Sequence, residues 1–317
     1  MDLIHNTVID LNFFSIDDFL QGLTKLDIYA TQLSPGRFAC RHREIQLPKV
    51  VIGDRHFSHA FQFHTSMSQD YLYIVLPQAG ECFMSVNGTN LPSHQPLVFS
   101  QHQEMLFKIP HNFPRYYVII ISSEELAQFY GEAALRTLKA ALNRQSFSEN
   151  IFVDSESAMS QLSAIINNLL NTGHLLSYQA VLNAQDALIH LLCNLLTLTT
   201  SSSKLKHINQ SRKLAIVRRA LHHIHHSSTL DITIPTLAQA SFCCVRSLEY
   251  SFKTITGMTP KQYIIKRRLQ LIHCALQKDQ KSSINELAKA YGIVNQGRFA
   301  QDYFKFFDQY PHQTQHR

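Results

Sequence analysis

The sequence predicts a chain of two domains. The first is strand-rich, an antiparallel barrel or sandwich with two following helices. The second is all-α, two helix-turn-helix units joined by a connecting helix. Three observations carry this reading. Short apolar runs separated by turn signals crowd residues 25–121. Hydrophobic periodicity then becomes helical and stays so. Finally, the segment beginning "LAQA" at Leu237 returns fifty residues later as "LAKA" at Leu287.

The strands come first in chain order. "YLYIVL", "CFMSV", "PLVFS", "MLFKI" and "YYVIIIS" are short apolar runs with no helix between them, which suits an antiparallel barrel or sandwich. Asn87-Gly88 after "CFMSV" is a tight-hairpin signal, since both positions tolerate positive φ. Two helices follow on either side of Gly173. Leu162, Ile165, Ile166, Leu169 and Leu170 share one helical face, and Val181, Leu188, Leu192, Leu195 and Leu196 share another. These faces either close the barrel's core or form a homodimer interface.

The polar stretch 199–211, "TTSSSKLKHINQS", reads as a linker, giving domains at 1–200 and 212–317 with the linker at 201–211. Charge changes sign across it. Residues 204–317 carry 18 Lys and Arg against 6 Asp and Glu, while residues 1–203 carry 11 against 17. A basic module of this kind suits a polyanion. Six cysteines without a CxxC or regular spacing read as reduced thiols. No apolar run approaches the ~18 residues of a membrane helix. "LIHLLCNLL" at 188–196 is short and interrupted, and "MDLIHNTVID" has no secretory pattern, so a cytoplasmic protein without membrane contact is expected.

The repeat defines the second domain, with units at about 234–253 and 284–305. Leu237 and Ala238 correspond to Leu287 and Ala288. After one inserted residue, Leu248 corresponds to Phe299, Phe252 to Tyr303 and Pro260 to Pro311. Each unit has a short helix with small alanines, a tight connection (Gly292 in the second), and a helix with an i, i+4 apolar pair turned inward. The opposite face carries Arg246, Glu249, Tyr250 and Lys253 in the first copy. In the second it carries Gln296, Arg298 and Gln301, with Asn295 placed to cap. Arg, Gln and Asn have the forked donors and acceptors that match base edges in a major groove. Lys253 and Lys305 suit phosphates. "GMTP" stops the first unit at Gly257 and opens the connecting helix at Pro260, which contains Arg267 and Arg268. Two units on one chain would read sites about one helical turn apart on double-stranded DNA.

"LAQASFCCVRSLEYSFKTITGMTPKQYIIKRRLQLIHCAL" followed by "INELAKAYGIVNQGRFAQDYFKFFDQYPHQT" resembles the DNA-binding domain of AraC/XylS-type transcription regulators over roughly 212–314. Leu237, Ala238, Leu248, Phe252, Gly257, Thr259, Pro260, Tyr263, Arg268, Ala275 and Leu276 meet the family pattern. "GRFAQDY…FDQYP" is most similar to the ethanolamine-operon regulators, and "LSPGRF" at 33–38 extends that likeness. The resemblance adds Gly297 to the base-facing positions. It also implies a cupin-like N-terminal domain that binds a small-molecule effector of unknown identity or forms a homodimer. RNA polymerase would be a partner, with no cofactor and no enzymatic activity. The chain departs from the pattern at Phe242 (turn glycine), Cys244 (capping serine) and Asp308 (glycine), and lacks the subgroup's tryptophans.

Rival readings are a metal-dependent cupin-type enzyme fused to a helical domain and a non-specific architectural DNA-binding protein. The first would draw on His56, His59, His64, His94, His102 and His111, but no His-x-His pair occurs. His222 and His226 have a workable zinc spacing with no third ligand evident, and Cys243-Cys244 is a strained pair for a redox switch. The architectural reading needs the positive charge but not two polar recognition faces.

Overall fold

The computed structural model describes residues 7–23, 26–67, 70–78, 83–92, 97–99, 104–113, 115–144, 156–200, 211–227, 231–278, 282–293 and 295–315. Residues 201–210 of the expected 201–211 linker lie outside them, Ser211 opening a helix, as do two of the expected histidines, His94 and His102.

The N-terminal part runs β1 (Val8–Phe13), α1 (Ile16–Gln21), β2 (Leu26–Gln32), β3 (Cys40–Gln46), β4 (Val50–Phe57), β5 (Phe61–Met67) and β6 (Tyr71–Pro77). It continues through β7 (Phe83–Val86), β8 (Thr89–Pro92), β9 (Leu97–Phe99), β10 (Met105–Ile109) and β11 (Tyr116–Ser122). Two antiparallel sheets result, in the orders β1-β3-β4-β11-β6-β9 and β2-β5-β10-β7-β8. Asn87 (φ 52°) and Gly88 (φ 84°) make the β7–β8 hairpin.

Two cores explain the strand sequences. Residues between the sheets include Phe57, Phe61, Phe63, Phe99, Phe107 and Tyr116. The other face of the six-stranded sheet offers Ile45, Ile52, Ile74, Ile119 and Ile121 to helices. β11 is therefore buried on both faces, which is why "YYVIIIS" is apolar without alternation.

Among the described residues, four α-helices rather than two follow β11 in the N-terminal part: α2 (Ser123–Tyr130), α3 (Glu132–Arg144), α4 (Glu156–Thr172) and α5 (Tyr178–Thr200). Gly131 (φ 84°) separates α2 from α3, and among their described side chains these helices bury only Leu126, Leu135 and Leu138. Leu162, Ile166, Leu188 and Leu192 close onto the six-stranded sheet. Of the two alternatives for these faces, the core of this one chain accounts for their burial. β1 also precedes the expected strand region. It is an edge strand with mostly exposed side chains, so it lacks a core-facing alternation.

The C-terminal part is helical: α6 (Ser211–His226), α7 (Ile234–Ala240), α8 (Val245–Thr256), α9 (Pro260–Lys278), α10 (Ile284–Ala290), α11 (Gln296–Phe307) and α12 (Pro311–Gln315). Two small cores are strung along α9. Tyr263 and Ile264 join α6, α7 and α8 in one, and Leu269, Ile272 and Leu276 join α10 and α11 in the other.

Candidate nucleic-acid interface

The inward residues of each helix-turn-helix create its geometry. Leu237, Ala238, Leu248 and Phe252 are buried together, as are Ala288, Phe299 and Tyr303, with Leu287 partly buried beside them. Burial of these faces sets the second helix of each unit across the first and leaves its other side in water.

The repeat extends to the backbone of the turns. The Phe242 N–H donates to the Gln239 carbonyl and the Cys243 N–H to that of Ala238, at 3.0 and 3.1 Å. Fifty residues on, the Gly292 N–H donates to Lys289 and the Ile293 N–H to Ala288, both at 2.9 Å. The shared pattern requires the left-handed region at the first turn residue. Gly292 adopts it at φ 75°, and Phe242 adopts it at φ 54° despite its Cβ. The Phe242 ring is 82% exposed and lies 5.5 Å from the Arg219 guanidinium on α6. At the far ends, Gly257 (φ 81°) and Asp308 (φ 53°) are equivalent left-handed caps whose N–H groups return to Lys253 and Phe304.

The N-terminal caps differ. Asn295 Oδ1 accepts from the Arg298 N–H at 3.1 Å, whereas Cys244 makes no side-chain cap bond. Its thiol instead lies 3.2 Å from the Ser247 hydroxyl, and that contact holds its pKa below the ordinary thiol value.

On α8, Arg246, Glu249, Tyr250 and Lys253 are exposed. On α11 and its cap, Asn295, Gly297, Arg298, Gln301 and Lys305 are exposed, and Gln296 is half-buried. A methyl at Gly297 would meet nothing nearer than Asn295 Oδ1 at 3.7 Å, so packing does not demand glycine there. Arg298 Nε lies 3.4 Å from Asp302, an i, i+4 partner that sequence reasoning missed and that orients the guanidinium along the helix.

Two further cations went unnoticed because they belong to α6. Lys213 Nζ sits 4.5 Å over the Tyr250 ring, and Arg219 Nε donates to the Ser241 carbonyl at 3.1 Å. Their signal was the basic run "SRKLAIVRRA" ahead of the first unit.

The histidines do not gather into a metal centre. His222 and His226 stack at 3.9 Å, and His226 Nε2 is 2.9 Å from the Tyr29 hydroxyl. Among the described residues no group of three or more His, Cys, Asp or Glu side chains could hold a metal ion, and Cys243 and Cys244 are free thiols. No helix of the described residues is long and apolar enough to cross a membrane.

The strand-rich part grips the connecting helix that carries both units. The Gln32 N–H donates to Gln270 Oε1 at 3.1 Å and Lys266 Nζ to the Leu33 carbonyl at 2.8 Å. Asp17 on α1 takes Arg267 at 3.4 Å and the Cys274 thiol at 2.8 Å, while Asp18 takes Lys278 at 3.1 Å. The Gly36 N–H reaches the Phe306 carbonyl on α11 at 2.7 Å.

A family match falls on the same helix-turn-helix residues. Residues 237–317 match the family described as "Helix-turn-helix domain". The XylDLEGF operon transcriptional activator of Pseudomonas putida is 34% identical over 98 residues, 30% of each chain. XylDLEGF operon transcriptional activator 2 of the same organism is 33% identical over 98 residues, 30% of this chain and 62% of that one. The alignment thus spans less than a third of the length of the first of these relatives. Among solved structures, the AraC-like transcriptional activator CuxR aligns over 89% of this chain and 100% of its own, at 14% identity and a TM-score of 0.41. A probable AraC family transcriptional regulator from Rhodopseudomonas palustris aligns over 32% of this chain and 95% of its own, at 28% identity and a TM-score of 0.30. Residues 237–317 form a helix-turn-helix domain, and they are similar in sequence to transcriptional activators.

Proposed function

We propose that this chain is a sequence-specific, effector-responsive transcription activator that reads two successive major-groove segments of double-stranded DNA. The observation that carries the reading is the duplication itself. Two units with the same turn hydrogen bonds each present an exposed polar helix face from one rigid connecting helix. Arg246, Glu249, Tyr250, Gln296, Gly297, Arg298 and Gln301 face the bases, while Lys253 and Lys305 contact phosphates. Lys213 and Arg219 add positive charge beside the first unit. The division into 1–200, a linker at 201–211 and 212–317 belongs to the same proposal. So does a finer placement among ethanolamine-operon-type regulators, which rests on "GRFAQDY…FDQYP".

Regulation would act through the grip of α1, β2 and the 33–36 loop on α9 and α11. An effector in the N-terminal domain shifts the population of this docked arrangement and so the presentation of the two readers. RNA polymerase is the partner that an activator of this class engages, in the cytoplasm. A homodimer through the N-terminal domain would use a surface other than the buried faces of α4 and α5.

Selection from random duplex DNA with the full chain at near-physiological salt tests the reading. Enrichment of two short blocks about one helical turn apart supports it. Binding with a steep salt dependence and no enriched sequence would identify an architectural protein instead.

A further inference from the structure

We infer that the space between the two sheets is a binding site for a short-chain aliphatic monocarboxylate, whose carboxylate is held by Arg55. The inference deepens the effector-responsive reading above and rests on it for its regulatory meaning. β4 alternates so that Val51, Gly53, Arg55 and Phe57 point between the sheets. Arg55 is only 6% exposed. Its room comes from Gly53, where a Cβ would lie 3.6 Å from the Arg55 Nε.

Taking a guanidinium out of water costs several kcal/mol unless a partner compensates it. Glu44 on the same face feels the Arg55 charge, but its hydrogen bonds go to His42, at 3.4 Å, and to Gln46. Asp54 points to the opposite face of β4, where Arg43 and Arg115 take it. Arg55 interacts with the Tyr116 hydroxyl and lies 5.6 Å from the Phe19 ring, but among the described residues its Nε has no hydrogen-bond partner. The Thr65 hydroxyl, from the facing sheet, is also buried without a partner. Both residues line one cavity of about 70 Å³, whose other walls include Phe57, Phe63, Met84 and Phe107.

A cation and a hydroxyl donor in an otherwise apolar chamber select an anionic head with an apolar body. Size selects further. An apolar cavity that admits benzene measures ~150 Å³, about twice this one, so the tail is limited to roughly three or four carbons. Such an occupant would touch Phe19, which lies on α1 between the wall of the cavity and Asp17 and Asp18. Occupation of the chamber is thereby communicated to α9 through the ion pairs with Arg267 and Lys278.

Calorimetric titration of the full chain with butyrate, 1-butanol and benzoate tests the assignment. Butyrate should bind saturably, and Arg55→Met should weaken it about 10- to 100-fold, the loss of a charge-assisted hydrogen bond. Val118→Phe, which fills the chamber and leaves Arg55 in place, should abolish binding while the circular dichroism spectrum stays native. It keeps the test decisive if the Arg55 variant does not fold. Absence of butyrate binding, equal affinity for 1-butanol, or tighter binding of benzoate would each overturn the assignment. DNA selection on the unliganded chain is scored separately, so failure of this site leaves the DNA-binding reading standing, and the reverse also holds.

Discussion

Arg298 and Gly297 adjoin on the exposed start of α11, and they test base reading in different ways. Arg298→Ala should cost roughly 1–3 kcal/mol on the preferred site and relax specificity in one half of it. Competition binding against duplexes altered in either half checks this, and uniform weakening on all sequences would make Arg298 a phosphate contact. Gly297→Ala should fold normally, because its methyl would make only an ordinary 3.7 Å contact with Asn295 Oδ1, yet lose DNA affinity if backbone approach to the bases is what the glycine provides. A third residue speaks to stability. His273 is buried, 2.6 Å from the Tyr303 hydroxyl and stacked on Phe307, and burial aided by the Arg37 charge pulls its pKa down to about 4. The unfolded chain holds that proton from about pH 6.5 downward, so folding stability should fall as pH drops from 6.5 towards 4, by roughly 2–4 kcal/mol in all. Denaturation at pH 7 and pH 5 should show the slope, and His273→Gln should reduce it, leaving the share of His225, whose burial also lowers its pKa.

Among the elements, the two recognition helices are near-copies with unequal beginnings. α11 starts on an asparagine cap, whereas α8 starts on a cysteine with no side-chain cap bond. Cys244→Ser should stabilise the domain by about 0.5–1 kcal/mol, read as a higher chemical-denaturation midpoint at unchanged m. The corresponding Asn295→Ala should destabilise by about 1 kcal/mol. Opposite signs at equivalent positions would establish that capping, and not contact with the rest of the chain, sets the difference.

For the whole molecule, the decisive feature is that α9 serves two masters. Its apolar residues hold both helix-turn-helix cores, and Lys266, Arg267, Gln270, Cys274 and Lys278 hold the strand-rich part. Arg267 and Asp17 are largely shielded from water, so their pairing is screened little. A double-mutant cycle with Asp17→Asn and Arg267→Gln should give a coupling energy of about 1–3 kcal/mol by urea denaturation. If the docked arrangement controls presentation of the readers, Asp17→Asn should also change the affinity for the selected site without touching a DNA-facing residue.

The helix-turn-helix pattern could be read from sequence because its determinants are local: apolar pairs at i, i+4, a glycine at 292 whose turn needs positive φ, and an asparagine at 295 that caps. Asn87-Gly88 was legible for the same reason. Helices α2 and α3 and strand β1 were not, since the two helices contribute only Leu126, Leu135 and Leu138 to the core among their described side chains and the edge strand has an exposed face. Asp302, Lys213 and Arg219 became site residues only once helical geometry and the packing of α6 brought them beside Arg298, Tyr250 and Phe242. Most distant from sequence is Arg55, an ordinary arginine in "IGDRHF" until strand register turns it inward. One residue of slip would turn it to the helix-covered face of the sheet, away from the chamber, and no local pattern encodes that choice. The sequence by itself determined a duplicated reader on a basic helical domain, because that information lies within a few helical turns. Only the tertiary structure decided which charges are buried, which carry the contact to α9, and which are left without a partner, because burial is a property of elements packed from opposite ends of the chain.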